Sequence, residues 1–406
     1  MALNIAILLS VALASLLLFS PRLSKSHLWR ATVTPLASII GSGFLVLAPI
    51  LVTAYGRSAP LIMAALCLGA YLFGAAIRFN IQARNMPQPF DDLTVERLEL
   101  AASWALVFAF MISVGYYLNL FGAFAVSQTP YAGPVNAKLL TTAVYILILT
   151  VGWFRGFNAL ERMEYAAVTL KLAIIVGLLI GLTWYFYERA TANALFFHQA
   201  ELSGWPALTL VFGLIITVQG FETSRYLGNN YDPKTRIVSM KLAQIVSAAI
   251  YMIYIGLFAF AFDRSEFKLT ETSIIDLMGL ITPLLAILLV VAALAAQFSA
   301  AIADTSGSGG LVEELTKGRM TARYGYALLV FIGLVITWEA DVFQIIAYAS
   351  RAFALYYTLQ SAIAARRAFI TPETPWLKKL GFSMLILLGS MIVFFGNDVE
   401  SSSAGG

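Results

Sequence analysis

The sequence predicts an all-α integral membrane protein of about twelve transmembrane helices. Ten of them form two inverted five-helix repeats, with one extra helix before and one after. Three observations lead there. Apolar residues make up 60% of the chain and charged residues only 12%, about half the charge of a soluble domain. The apolar runs are too long and too continuous for barrel strands, so the spans are helices. Finally, two long apolar segments interrupt themselves. Residues 34–53 break at Ile39-Ile40-Gly41-Ser42-Gly43-Phe44, and residues 206–227 break at Gln219-Gly220-Phe221-Glu222. A helix broken at membrane depth exposes backbone groups that lipid cannot satisfy. It persists only where protein, water or a bound solute covers it, and paired breaks in two halves of a chain point to a central binding site.

Read in order, the spans are roughly 2–20, 31–53, 58–79, 99–126, 138–154, 163–187, 205–228, 239–262, 273–305, 324–339, 342–365 and 379–396. The first resembles a signal peptide in length, but Arg22, Lys25 and Arg30 follow it and nothing basic precedes it. That charge order is the reverse of a signal peptide and reads as a helix with its N-terminus outside. Alternating from there, eighteen lysines and arginines fall in inner loops. Only five, Arg57, Lys138, Arg189, Arg264 and Lys268, fall in outer ones. Both termini are therefore expected outside. Spans two to six and seven to eleven make two sets of five, each opening with a broken helix. Because five is odd, the second set enters the membrane from the opposite side. The resulting plan assigns 1–28 to the extra helix and an inner loop, 29–190 to the first repeat and 203–368 to the second. It assigns 376–398 to the final helix and 399–406 to a flexible tail. The pI near 9.0 follows from the inner-loop bias and does not imply a nucleic-acid partner; the partner is the lipid bilayer. Cys67 is the only cysteine, which excludes an intrachain disulfide.

Four pieces of sequence carry a family resemblance. Ile40-Gly41-Ser42-Gly43-Phe44 and Gly220-Phe221-Glu222 resemble the two helix breaks of the amino acid–polyamine–organocation (APC) superfamily. Asp232-Pro233-Lys234-Thr235-Arg236 resembles the polar proline turn after the second break, and Thr169-Leu170-Lys171-Leu172 the entry of core helix 5. The match spans about residues 30–365. Asn229-Asn230 stands where the family usually has an acidic residue, and Ile237-Val238 where Ile-Pro is common. The extra leading helix and single trailing helix also depart from the usual plan. The resemblance implies the leucine-transporter fold and alternating access in a membrane such as the bacterial inner membrane. It implies a small-molecule substrate, an amino acid or related amine, and no cofactor.

The expected substrate-binding residues are Ile40, Gly41, Ser42, Gly43, Phe44, Tyr116, Val218, Gln219, Gly220, Phe221 and Glu222. At the first break, glycines let the backbone unwind. The half-helix starting near Phe44 presents a positive dipole end suited to a carboxylate. The plainer alternative is close helix packing through small residues. At the second break the first half-helix ends, and its unpaired carbonyls suit an ammonium group. Phe221 packs there or, as the family implies, acts as an aromatic lid. Glu222 and Arg225, one turn apart, are expected to pair with each other, with Glu222 capping the break as the alternative.

The expected ion-coupling residues are Lys171, Asp304 and Thr305. Lys171 lies nine residues into its span, about 13 Å from the inner surface, where an ionisable group is costly and by default functional. The resemblance implies that it bridges core helices 1 and 8 in the place of sodium; a permanent salt bridge is the alternative. Asp304 is expected to pair with Lys171. Its rival role places Asp304, Thr305 and Ser306 around a sodium ion; a cation near Lys171 would be repelled, so the pair, and a proton over sodium, is favoured. Arg351 is expected to counter Glu222 or Asp304, or to touch the substrate. Tyr116, Tyr117 and Asn119 line the site or pack. His27 and His198 lie in loops, so no metal site is expected. No nucleophile has a base beside it, so no enzyme is expected. Two other classes stay open: an inorganic-ion transporter, and a non-transporting sensor or partner subunit on the same fold.

Overall fold

The computed structural model describes residues 1–41, 43–84, 92–127, 129–154, 157–227, 231–266, 270 and 272–397, with backbone alone at 157–163 and 266. Ser42, Asn229, Asn230, Lys268 and the expected tail at 399–406 lie outside the described residues. Among the described residues every regular element is helical. The elements are α1 (Ala2–Leu18), α2 (Pro21–Ser24), α3 (His27–Ile39), α4 (Gly43–Tyr55), α5 (Ala59–Arg84), α6 (Leu93–Ser127), α7 (Pro134–Phe154) and α8 (Phe157–Thr191). They continue with α9 (Gly204–Gly213), α10 (Thr223–Tyr226), α11 (Pro233–Ala261), α12 (Ser273–Ile281), α13 (Pro283–Leu315), α14 (Ala322–Glu339), α15 (Val342–Ile370) and α16 (Trp376–Phe395). Among the described residues eight helical stretches are long and apolar enough to cross a membrane, so this is an integral membrane protein.

Local chemistry explains the boundaries. Ser26 accepts from the Trp29 amide at the start of α3. Asp232 accepts from the amides of Lys234 and Thr235, and Pro233 supplies the preset first turn of α11. Asp341 and Gln344 form a capping box on α15. The expected single span over 273–305 is corrected. Thr282 is extended, with φ −166° and ψ 142°, and separates α12 from α13. Pro283 is the cause: it disfavours helical geometry in the residue before it and then opens the next helix.

The broken helices sit in the middle of the packing. Helix α6 packs on α13 and α15, α8 on α13, and α11 on α5 and α3. The leading helix α1 lies outside this group and docks on α8. There Gly177 and Gly181, one turn apart, leave a notch for Ile7 and Val11. Asn4 of α1 accepts from Thr282, which ties α1 to the α12–α13 junction.

Candidate functional site

Both interruptions are real breaks in the helix. Helix α3 stops at Ile39 and α4 begins at Gly43. The second break is longer than its glycine suggests: α9 stops at Gly213, a 3-10 turn covers Ile215–Val218, Gln219 is extended, and α10 is one turn. Proline helps at the first break, since Pro35 lacks the amide that would tie the last turn of α3 to the turn before it.

The two breaks pack directly on each other. Gly220 has φ +117°, and a Cβ there would lie 2.5 Å from the Ile39 nitrogen and 2.7 Å from Ser38 Cβ. A Cβ on Gly43 would lie 2.9 Å from Thr217 Cα. Only glycine permits this approach.

The released carbonyls find specific donors. On three consecutive residues of the last turn of α3, three different helices take hold. Lys171 Nζ of α8 donates to Ala37 O at 2.6 Å. Ser38 Oγ lies 3.4 Å from Asp304 Oδ1 of α13. Tyr251 Oη of α11 lies 2.9 Å from Ile39 O, and also 2.7 Å from Thr217 O in the second break. At the end of α9, Ser350 Oγ donates to Gly213 O at 2.6 Å and accepts from the Ile216 amide at 3.2 Å.

The second break carries two buried acceptors. Gln219 donates through Nε2 to Tyr117 Oη at 2.5 Å, while its Oε1 has no hydrogen-bond partner. Glu222 Oε2 accepts from the Gly220 amide at 3.0 Å and from Tyr357 Oη at 2.9 Å, while its Oε1 has none. Tyr357 stacks with Phe221 and with Phe73, ring centroids 5.2 Å apart in each case. Phe44 packs against Tyr254 and Tyr251. Narrow crevices flank the pair. One is lined by Ile40, Gly41, Phe44, Ile175, Leu289 and Ala296 among others. The other is lined by Val218, Tyr251, Gln244, Ser247 and Cys67.

Several expectations about charged groups are corrected. Lys171 and Asp304 form no ion pair. Lys171 donates to Ala37 O and to Ser299 Oγ at 3.1 Å, whereas Asp304 contacts Ser38 and Ser113, with Ser113 Oγ 2.5 Å from Oδ2. The reason is azimuth. Asp304 lies five residues beyond Ser299 on α13, about 7.5 Å farther along and about 140° round the helix. Glu222 and Arg225 do not pair either. The i, i+3 spacing brings side chains together only on a continuous helix, and Glu222 precedes the single turn of α10 and folds back onto Gly220. Arg225 instead pairs with Glu99 and donates to Gln360 Oε1 at 2.8 Å. Arg351 reaches neither Glu222 nor Asp304; its Nε and Nη2 donate to Gly396 O beyond α16. Asn119 turns toward Thr337 of α14. Tyr116 is buried beside Tyr117. Thr305 is fully buried, and its hydroxyl has no hydrogen-bond partner. Among the described residues no cluster of histidine, cysteine and carboxylate suits a metal.

The sequence does not single out Tyr251, Ser38, Ser113, Ser299, Ser350 or Tyr357. Polar serines inside apolar runs were visible signals. The tyrosines look like packing until their hydroxyl partners are known.

Comparison with known proteins identifies the family. The family described as APC superfamily transporter matches residues 21–396. A protein of Aquifex aeolicus (strain VF5), described as uncharacterized, is 41% identical over 397 residues, covering 96% of each chain.

Proposed function

Because the chain belongs to the APC superfamily of transporters, we propose that it is a secondary-active carrier of an amino acid or a related amine. It works by alternating access on the leucine-transporter fold. In this reading twelve spans are α1, α3 with α4, α5, α6, α7, α8, α9 with α10, α11, α13, α14, α15 and α16. Those from α3 to α8 and from α9 to α15 form the inverted repeats, and both termini face outward from a bacterial inner membrane.

One observation carries the reading. Two buried acceptors, Gln219 Oε1 and Glu222 Oε1, lack protein donors beside a pair of broken helices. Leaving such groups unpaired costs about 1–3 kcal/mol each. An ammonium group supplies donors to both. The first turn of α4 has amides without intrahelical acceptors and a positive dipole end, which suit a carboxylate. Lys171 joins α3 to α13 through Ala37 and Ser299, the position a sodium ion takes in sodium-coupled relatives. This supports coupling to protons, or exchange of one solute for another, over coupling to sodium.

A thermal-shift screen of amino acids and amines on the purified protein tests the reading, since a ligand of the folded state must raise its melting temperature. Stabilisation by an amino acid or amine is the expected result. Stabilisation by inorganic ions alone would redirect the function to ion transport, and by nothing at all to a non-transporting subunit.

A further inference from the structure

Asp304 is fully buried and stands where three helices meet. Its Oδ2 lies 2.5 Å from Ser113 Oγ of α6, and its Oδ1 lies 3.4 Å from Ser38 Oγ of α3. No described lysine, arginine or histidine is within ion-pair distance of it. The charged and titratable groups facing it are Glu222 at the second break, Glu164 of α8 and Tyr117 of α6; Lys171 is committed to Ala37 and Ser299. Burying a charge without a partner is costly, and the contacts Asp304 makes are to serine hydroxyls rather than to a cation.

Hydrogen counting gives the same answer. A serine hydroxyl has one hydrogen. Ser113 Oγ lies within reach of Asp304 Oδ2 and also 3.1 Å from Phe110 O. If Asp304 is ionised, Ser113 serves one acceptor or the other. If Asp304 holds a proton, it donates to Ser113, Ser113 donates to Phe110 O, and both contacts are satisfied in a chain.

We infer that Asp304 is a proton-carrying site distinct from Lys171, occupied while α3, α6 and α13 are packed together and emptied when Ser38 and Ser113 draw apart. Ser38 belongs to the last turn of α3, so the proton's seat is built partly from the first helix break. Separation of these helices admits water, which stabilises the carboxylate and accepts its proton; repacking requires the proton back. The role in coupling rests on the transporter reading, whereas the proton's position does not.

Infrared difference spectroscopy of the purified protein tests the position directly. The expected result is a carboxylic-acid carbonyl band that disappears in Asp304→Asn, persists in Glu222→Gln, and changes frequency in Ser113→Ala because a hydrogen-bond acceptor has gone. A band of unchanged intensity in Asp304→Asn, or of unchanged frequency in Ser113→Ala, overturns it. Ser113→Ala keeps the test decisive if Asp304→Asn fails to fold. In proteoliposomes, proton movement driven by a gradient of a stabilising amino acid is expected to be lost in Asp304→Asn; movement at the wild-type rate overturns the coupling role. If no amino acid or amine stabilises the wild-type protein, the transporter reading fails while the infrared band still decides where the proton sits.

Discussion

The hydroxyl of Tyr251 lies 2.7 Å from the carbonyl oxygen of Thr217 in the second helix break, and it reaches Ile39 O in the first break at 2.9 Å. One side chain on α11 thus spans the two interruptions, and the two carbonyls share its single hydrogen. Tyr251→Phe keeps the ring and removes the donor. A buried carbonyl left without a donor costs about 1–3 kcal/mol, so the variant is expected to melt at a lower temperature than wild type. It should also show faster amide exchange around both breaks. An unchanged melting temperature would mean that the hydroxyl does not hold the breaks.

Gly220 is the tightest point between the breaks. Its φ is +117°, and a Cβ added there would lie 2.5 Å from the Ile39 nitrogen, which leaves no room for a methyl group. Gly41 is less confined: a Cβ there would lie 3.1 Å from Ser38 O and 3.2 Å from the movable Tyr117 ring. Gly220→Ala is therefore expected to reduce uptake and stability more than Gly41→Ala. Thermal melts and proteoliposome uptake of the two variants give the ranking; equal effects would contradict it.

Legibility in the sequence followed the kind of physics involved. A Gly-Ser-Gly cluster at the first break and Gln219-Gly220-Phe221-Glu222 at the second mark both interruptions inside apolar runs, because breaking a helix in lipid is so costly that it leaves a signature in residue type. Asp232-Pro233 announced the start of α11 for a similar local reason. The Thr282-Pro283 boundary carries a signal of the same kind, masked by the apolar run on either side. Partnerships were harder. Depth along a span can be counted, which placed Lys171 well inside the protein. The direction in which a side chain points depends on helix rotation, which a nearly uniform apolar sequence does not report. Hence depth alone pairs Asp304 with Lys171 where the structure gives Ser113, and leaves Arg351 facing a carboxylate or the substrate where the structure gives Gly396 O. The span of the second break was also hidden, since residues 214–218 are aliphatic or threonine and suit a helix as well as a 3-10 turn.

Lys171 makes two contacts, to Ala37 O and Ser299 Oγ, and neither partner is a carboxylate. Both hydrogen bonds join α8 to neighbouring helices, through a backbone oxygen on α3 and a hydroxyl on α13. Lys171→Ala is expected to lower uptake and to weaken its dependence on external pH. Uptake that kept its full proton dependence would remove Lys171 from the coupling machinery.

A second buried charge network lies away from the breaks. Glu99 of α6 pairs with Arg225 of α10 and lies 3.3 Å from Arg367 of α15. Arg225 also donates to Gln360, which accepts from Asn80 of α5. Removing the carboxylate leaves the buried guanidinium of Arg225 and the partly buried one of Arg367 without their shared counter-charge. Breaking a fully buried pair costs about 3–5 kcal/mol. Glu99→Gln is expected to be strongly destabilised in a thermal or denaturant melt, whereas Glu96→Gln, exposed one turn earlier, is near neutral. Equal stability of the two variants would show that the network contributes nothing.

Hydrogen–deuterium exchange, with and without an amino acid that stabilises the protein, gives the most direct reading of whether the two breaks act as one cradle. The amides from Gly41 to Phe44 and from Val218 to Phe221 are expected to gain protection together when that ligand is added. Protection confined to one break, or found only elsewhere in the chain, would contradict a shared site.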